Sequence, residues 1–546
     1  MGSRSTPSTL LIRPSLCAVL PLLTFVLVLL GSTARAAPQP EPIPVPAPGL
    51  GLLEAVELLL LHDPNLGQVE ARLTSSEGAL LSARGGFDPV VRSSLTQAQA
   101  VSPTGETDRE EERTLVNTVG VTKRFRSGLS IEPDLSLSRS EDTLAGGPGA
   151  NVGTVGFTFR QPLLRGRGRE AVAAGELSAE RQLAASRIDV RQTVSERVLA
   201  VVFQYWNYKA AVLNLGILLE TEARSRELMA TTRRLIESDI TPAAELVLLE
   251  ANLAAQEVSR IAGERAVFAA RQDLGREIGL DPRQIGGLPA PADDFPVVTP
   301  AEVPPAAETD RLIAGALARR DDLRAARERQ ESVVALLRAA DNLMKPQLDL
   351  IVRPSYSGFV EGTGPGDFYS PLFRNVPGLS TSFGFSLSWP TFNGEARGLR
   401  LQREAALRES ALIVEAFEKI IGADVPTALD AVARQAQRLQ KAEEAVRLFE
   451  RAVSNEEKKL RAGSSTLLDL INQQDRLTAA RQSRVSAQLD LALALAELRF
   501  QTGTLLGPAP AVPAAATAAA DPAGQAGTVD YRRLTTLPTP EETAPR

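Results

Sequence analysis

Apolar residues recur at steps of three and four along most of the chain. Val194, Val198, Val201 and Tyr205 step by 4, 3, 4, and Leu439, Ala442, Val446, Phe449 and Val453 step by 3, 4, 3, 4. This spacing lays a narrow apolar stripe along a helix, the seam of coiled-coil packing. It predicts helices over 50–84, 169–236, 243–280, 310–342, 396–461 and 466–504. At the α-helical rise, 169–236 is roughly 100 Å long, and 243–280 and 310–342 are roughly 57 and 50 Å. Two short pieces therefore ascend through the height of one descending helix. In the second half 396–461 descends, 466–504 ascends halfway, and 50–84 supplies the missing upper piece. The pieces fit a hollow cylinder roughly 100 Å tall with a belt at mid-height. A solid bundle shares the periodicity, but the many small and polar residues suit thin walls better than a filled core.

Between the helices the period changes to two. Phe383, Phe385, Leu387 and Trp389 alternate with Ser382, Gly384, Ser386 and Ser388, and Val155, Phe157 and Phe159 with Thr154, Gly156, Thr158 and Arg160. Leu348, Leu350 and Val352 alternate with Gln347, Asp349 and Arg353, and Leu129, Ile131, Leu135 and Leu137 with Ser130, Glu132, Asp134 and Ser136. Apolar-out, polar-in alternation is the mark of a transmembrane barrel strand. A sandwich with one wet face shares it. The first half holds four candidate strands, Val90–Gln99, Thr114–Phe125, Leu129–Ser138 and Val152–Gln161, and the second half two. So few strands cannot close a barrel of at least eight, so several chains must contribute. Trp389, at a strand end, is placed as an interfacial anchor.

The chain also repeats itself. Asn65-Leu66 to Pro89 matches Asp322-Leu323 to Pro346, and Gly156 to Gly166 matches Gly384 to Gly394. Glu245-Leu246 and Leu253 match Asp469-Leu470 and Leu477. The expected organisation is a first repeat over 50–280 with strands about 87–161, a Pro/Gly-rich belt over 281–308, and a second repeat over 309–506 with strands about 345–391.

Composition narrows the function. Aromatic residues are only 4% and charged residues 23% of the 546, which favours long helices. One Cys and one His exclude disulfide frameworks and Cys/His zinc sites. With no clustered titratable motif, neither an enzyme nor a metal or cofactor site is expected. The net charge of −6 argues against nucleic acid. His62 reads as a helix-end residue. Arg4 and Arg13, the apolar run Leu16–Leu30 and Ala34-Arg35-Ala36 read as a signal peptide over 1–36, with mature chain from Ala37. Residues 37–49 are Pro-rich, and the Ala/Pro-rich tail over 507–546 is expected to be disordered.

The duplicated helix–strand–helix unit, the strand end Gln161-Pro162-Leu163-Leu164-Arg165-Gly166 with its echo Trp389-Pro390-Thr391-Phe392-Asn393-Gly394, and the turns Glu237–Leu246 and Arg461–Leu470 together resemble the TolC-like outer membrane efflux family. The likeness covers roughly 50–505. It implies a mainly α fold with a β-barrel: an internally duplicated homotrimer whose outer-membrane β-barrel continues as a periplasmic α-helical barrel. It also implies a passive exit duct of a tripartite efflux or type I secretion system. Its partners would be outer-membrane lipid, a periplasmic adaptor, and an inner-membrane pump of RND, ABC or MFS type. A structural or adhesive envelope coiled coil is the alternative. By the resemblance, Asp469 and Asn472, with Glu245 in the first half, fall at the periplasmic aperture. The adaptor-facing tip is Ser238, Asp239, Ile240 and Thr241 with Ala462, Gly463, Ser464 and Ser465. Ser465 stands where some members carry an aperture-locking arginine. Asp469 and Glu245 also suit helix N-terminal caps. Six strands per chain make 18 in a trimer, against 12 if 115–138 is an outer hairpin above the membrane.

Overall fold

The computed structural model describes residues 49–103, 109–142, 149–237, 244–374, 378–507, 534–539 and 542. The expected signal peptide over 1–36 and nearly all of 37–49 lie outside the described residues.

Helices α1 (Leu52–His62) and α2 (Pro64–Gly85) part at Asp63, which is extended and accepts the Asn65 amide at 3.0 Å, with Pro64 opening α2. Strands β1 (Val90–Pro103), β2 (Arg109–Arg124), β3 (Ser130–Asp142) and β4 (Ala150–Pro162) follow. A short α3 (Arg169–Val172) leads into α4 (Ala174–Glu237), a helix of 64 residues, and α5 (Ala244–Ile278) returns along it. After α6 (Pro282–Ile285) and the belt come α7 (Thr309–Arg319), α8 (Asp321–Leu343), β5 (Gln347–Glu361), α9 (Pro365–Tyr369) and β6 (Ser380–Ser388). The chain closes with α10 (Gly394–Arg461), a 68-residue helix that continues through Pro426, and α11 (Leu467–Gln501).

The single helix expected over 310–342 is two helices. Arg320 is extended (φ −58°, ψ 123°), and its guanidinium is gripped by the Asp322 carboxylate at 2.6 and 3.1 Å. Asp322 Oδ1 also accepts the Leu323 amide at 2.8 Å. The Arg320–Asp322 pair accompanies the break, which no proline and no side-chain cap at Arg320 marks.

All six strands form one antiparallel sheet in the order β1-β2-β3-β4-β5-β6. β4 pairs with β5 from Ala150↔Glu361 to Pro162↔Asp349, joining the two halves. β2 and β3 are laddered between β1 and β4, so residues 115–138 are part of the sheet and not a separate outer hairpin. The register gives the sheet two unlike faces, with Val116, Val152 and Phe359 as apolar exceptions on the hydroxyl side. The row Ile131↔Phe159↔Val352↔Phe383 lies on one face. The row Thr118↔Ser136↔Thr154↔Ser357 lies on the other, and the Thr154 and Ser357 hydroxyls meet at 3.0 Å. At the sheet base Gly128 (φ +99°) has to be glycine, because a Cβ there would come within 2.2 Å of the Gly166 carbonyl.

The helices pack through a shared apolar cluster that includes Leu312, Ile421, Val425, Val432, Leu491 and Leu498. The belt is clamped to α4 by buried aromatics. The Tyr205 hydroxyl donates to the Leu50 carbonyl at 2.9 Å and bonds the Asp293 carboxylate at 2.7 Å. The Trp206 ring stacks on Phe295 with centroids 5.2 Å apart. Beside the belt, Asp321 is held by Arg191 and Arg324 at 2.8 Å each, yet burial keeps its carboxyl above the usual aspartate value.

Of the Ala/Pro-rich tail, residues 508–533, 540–541 and 543–546 lie outside the described residues. Leu534 and Thr535 are buried, and Leu537 packs on the central helical cluster.

Candidate functional site

The hairpin turn between α10 and α11 gathers most of the site residues read from the sequence. α10 ends in a Schellman turn: the Ser464 amide donates to Lys459 O at 3.0 Å, the Gly463 amide to Leu460 O at 3.0 Å, and Gly463 takes φ +73°. α11 then opens on Thr466. Its hydroxyl donates to the Asp469 carboxylate at 2.6 Å and accepts the Asp469 amide at 3.2 Å, a reciprocal capping box. Those bonds from the Thr466 hydroxyl and amide hold the Asp469 carboxyl below its ordinary value. Asp469 and Asn472 are both exposed.

The Ser465 hydroxyl donates to the Glu456 carboxylate, which Lys459 approaches at 3.1 Å. The Ser465 bond, then the Lys459 bond, lower the Glu456 pKa. Ser465 therefore ties the turn back onto α10 within its own chain.

Glu245 is half-buried in the first turn of α5. With Ser465, Gly463, Arg224, Glu457 and Arg461 it lines a cleft of about 960 Å³ between the two helical hairpins. The structure thus brings Glu245 and Ser465 together. Ala462 and Ser464 sit exposed on the turn. Ser238, Asp239, Ile240 and Thr241 lie outside the described residues.

Above the tip, the two hairpins meet along a polar seam that the apolar periodicity did not reveal. Thr221 and Thr478 hydroxyls are 3.1 Å apart, and the Gln256 amide donates to Asp475 at 3.3 Å. Arg481 bridges Glu220 on α4 at 3.1 Å and Glu450 on α10 at 3.0 Å. Asp475 is exposed as a residue, and partial burial of its carboxyl raises the pKa against the Gln256 bond that lowers it. Burial, then the like charge of Arg481, lowers that of Arg224. Leu249, Leu467 and Ile471 seal the seam toward the tip. Polar residues on the inner side of an otherwise apolar stripe were the signal available in sequence.

At the opposite end of the molecule the sheet exposes its apolar face. Phe383 is 81% and Trp389 70% exposed. Among the described residues no helix is long and apolar enough to cross a membrane.

Residues 312–504 match the outer membrane efflux protein family model. The chain is 27% identical over 321 residues to the multidrug resistance outer membrane protein MdtQ of Escherichia coli O157:H7, a stretch of 58% of this chain and 61% of that relative. It therefore spans about three fifths of the length of that curated relative. The fold is similar to that of the outer-membrane channel OprN, with a TM-score of 0.62 and 18% identity over 83% of this chain and 90% of that one. It is also similar to the Campylobacter jejuni CmeC outer membrane channel, with a TM-score of 0.60 and 14% identity over 83% and 85%.

Proposed function

We propose that this chain is a trimeric exit duct of a tripartite efflux system and a member of the TolC-like outer membrane efflux protein family. The observation that carries the reading is the two-faced sheet. A broad exposed apolar face needs lipid or protein to cover it, and the opposite face is lined with serine and threonine hydroxyls that suit water. β1 and β6 are both unpaired on their outer edges and run in opposite directions. The β6 edge of one copy therefore meets the β1 edge of the next in antiparallel register, and closure removes both edges. Three copies of a six-stranded sheet give 18 strands. At a strand spacing of about 4.8 Å and a tilt of about 40°, the barrel radius is about 18 Å, against about 12 Å for 12 strands. A barrel of this size holds an aqueous channel.

The chain passes substrates and does not transform them. α4 with α5, and α10 with α11, form the walls of a helical tunnel below the barrel, and their turns form its far tip. Ala462, Gly463, Ser464 and Ser465, with Ser238, Asp239, Ile240 and Thr241, face a periplasmic adaptor that links the duct to an inner-membrane pump. Asp469 from three chains rings the aperture and favours cations there. Asn472, one turn on, adds polarity without charge. Glu245 lies back in the inter-hairpin cleft.

Planar-bilayer recording tests the reading. The purified particle should give stepwise currents, and a chain loosened at the hairpin seam by Arg481→Ala should give larger ones. Silence from both, with the particle folded, contradicts the duct.

A further inference from the structure

The C-terminal segment supplies an observation that the duct does not use. α11 ends at Gln501, and Leu505 and Leu506 are buried just beyond it. Leu534–Thr539 return to the same end of the helix and meet Arg499, which is only 2% exposed. Arg499 Nε donates to Thr536 O at 2.7 Å, and Nη2 donates to Leu537 O at 2.7 Å and Thr536 Oγ1 at 2.9 Å. Nη1 pairs with the Glu542 carboxylate at 3.0 Å. Glu542 in turn accepts the Thr539 amide at 3.0 Å. Leu534 is 1% exposed, and Leu537 lies against the apolar cluster of α7, α10 and α11. The stretch that matches the family ends at residue 504, so this segment lies beyond it.

We propose that the end of α11 remote from the tip is a peptide-binding site centred on Arg499, and that its ligand is a piece of the chain's own C-terminal segment, Leu534–Thr539 with Glu542. The guanidinium fork reads two carbonyls, a hydroxyl and a carboxylate at once, a geometry that a lysine cannot supply. Leu534 is buried beside these contacts in sequence, and Leu537 adds apolar packing against the helical cluster. The ligand is thus a short peptide with leucines three apart and a glutamate five residues after the second. An arginine in the last turn of a helix also complements the helix dipole. α11 is unbroken from Leu467 to Gln501. The bound segment therefore anchors the same helix whose first turn carries Asp469, and fixes the end about which the tip would swing.

Thiol accessibility in the full chain tests the site. Cys17→Ser removes the only native cysteine, and Leu534→Cys or Thr535→Cys adds a single reporter within the segment. Each reporter should alkylate at least roughly tenfold more slowly in the folded particle than in the denatured chain. Arg499→Met should restore the fast rate, and Glu542→Gln, which leaves α11 untouched, should move it the same way. Should Arg499→Met fail to assemble, the Glu542→Gln result decides. Fast alkylation of both reporters in the otherwise native particle overturns the docked segment. Slow alkylation that neither substitution changes overturns Arg499 as its centre.

Discussion

The Thr466 hydroxyl donates to the Asp469 carboxylate at 2.6 Å, and the Asp469 amide returns a bond to that hydroxyl at 3.2 Å. Asp469 is therefore the N3 partner of a capping box as well as an exposed carboxylate at the tip. The two roles are compatible, because a carboxylate has lone pairs beyond the one that the cap uses. Thr466→Ala should speed amide exchange in the first turn of α11 roughly fivefold, the ratio set by a lost cap. No change there contradicts the cap.

Charge at the same residue is separable from the cap. Asp469→Asn keeps an oxygen able to accept from Thr466 but removes the negative ring. It should weaken cation preference in single-channel recordings. An unchanged reversal potential removes Asp469 from the aperture.

The tip and the seam should respond to acid in opposite senses. Asp469 and Glu456 have lowered pKa values, so their contribution is present above the ordinary carboxylate values and is lost as pH falls through the lowered ones. Asp475 has a raised pKa, so its contribution is present below the ordinary aspartate value and is lost as pH rises through the raised one. Asp475→Asn should then raise the thermal midpoint at neutral pH and leave it nearly unchanged in acid. A lower midpoint at neutral pH contradicts this assignment.

The two sheet faces give a paired test. Phe385 faces the apolar side and its neighbour Ser386 the hydroxyl side. Phe385→Arg should cost about 2–4 kcal/mol of barrel stability if the band spans lipid, read as loss of the assembled, heat-modifiable form on gels. Ser386→Arg should leave assembly intact and change conductance. Equal effects of the two on assembly contradict the facing.

Much of this fold was legible from periodicity. Steps of three and four marked α4 and α10, whereas 50–84, expected as one helix, is α1 and α2 parted at Asp63. The break at Arg320 was not legible, because neither a proline nor a side-chain cap marks it. β2 and β3 were visible as strands, but their place inside the sheet depends on long-range pairing that local pattern does not encode. The seam residues Gln256, Asp475 and Arg481 were hidden for a different reason: an apolar stripe shows which side of a helix packs, not which polar groups meet across it. The Arg499 site was missed because Ala and Pro dominate the tail, and two leucines and a glutamate carry little weight in its composition.

The belt is also open to test. Tyr205→Phe removes the hydroxyl that joins Leu50 O to Asp293; those oxygens keep the Ala292 and Leu52 amides, but the Asp293 amide loses its acceptor. It should cost about 1–3 kcal/mol, measured as a lower denaturation midpoint with an unchanged oligomer. A neutral result contradicts a clamp at this position.

The measurement that bears most directly on the duct is the native mass of the particle extracted from the outer membrane in mild detergent, read together with a projection image down its long axis. The account predicts three chains around an open lumen, with a barrel of about 18 Å radius. A single chain, or a solid rod with no lumen, contradicts it.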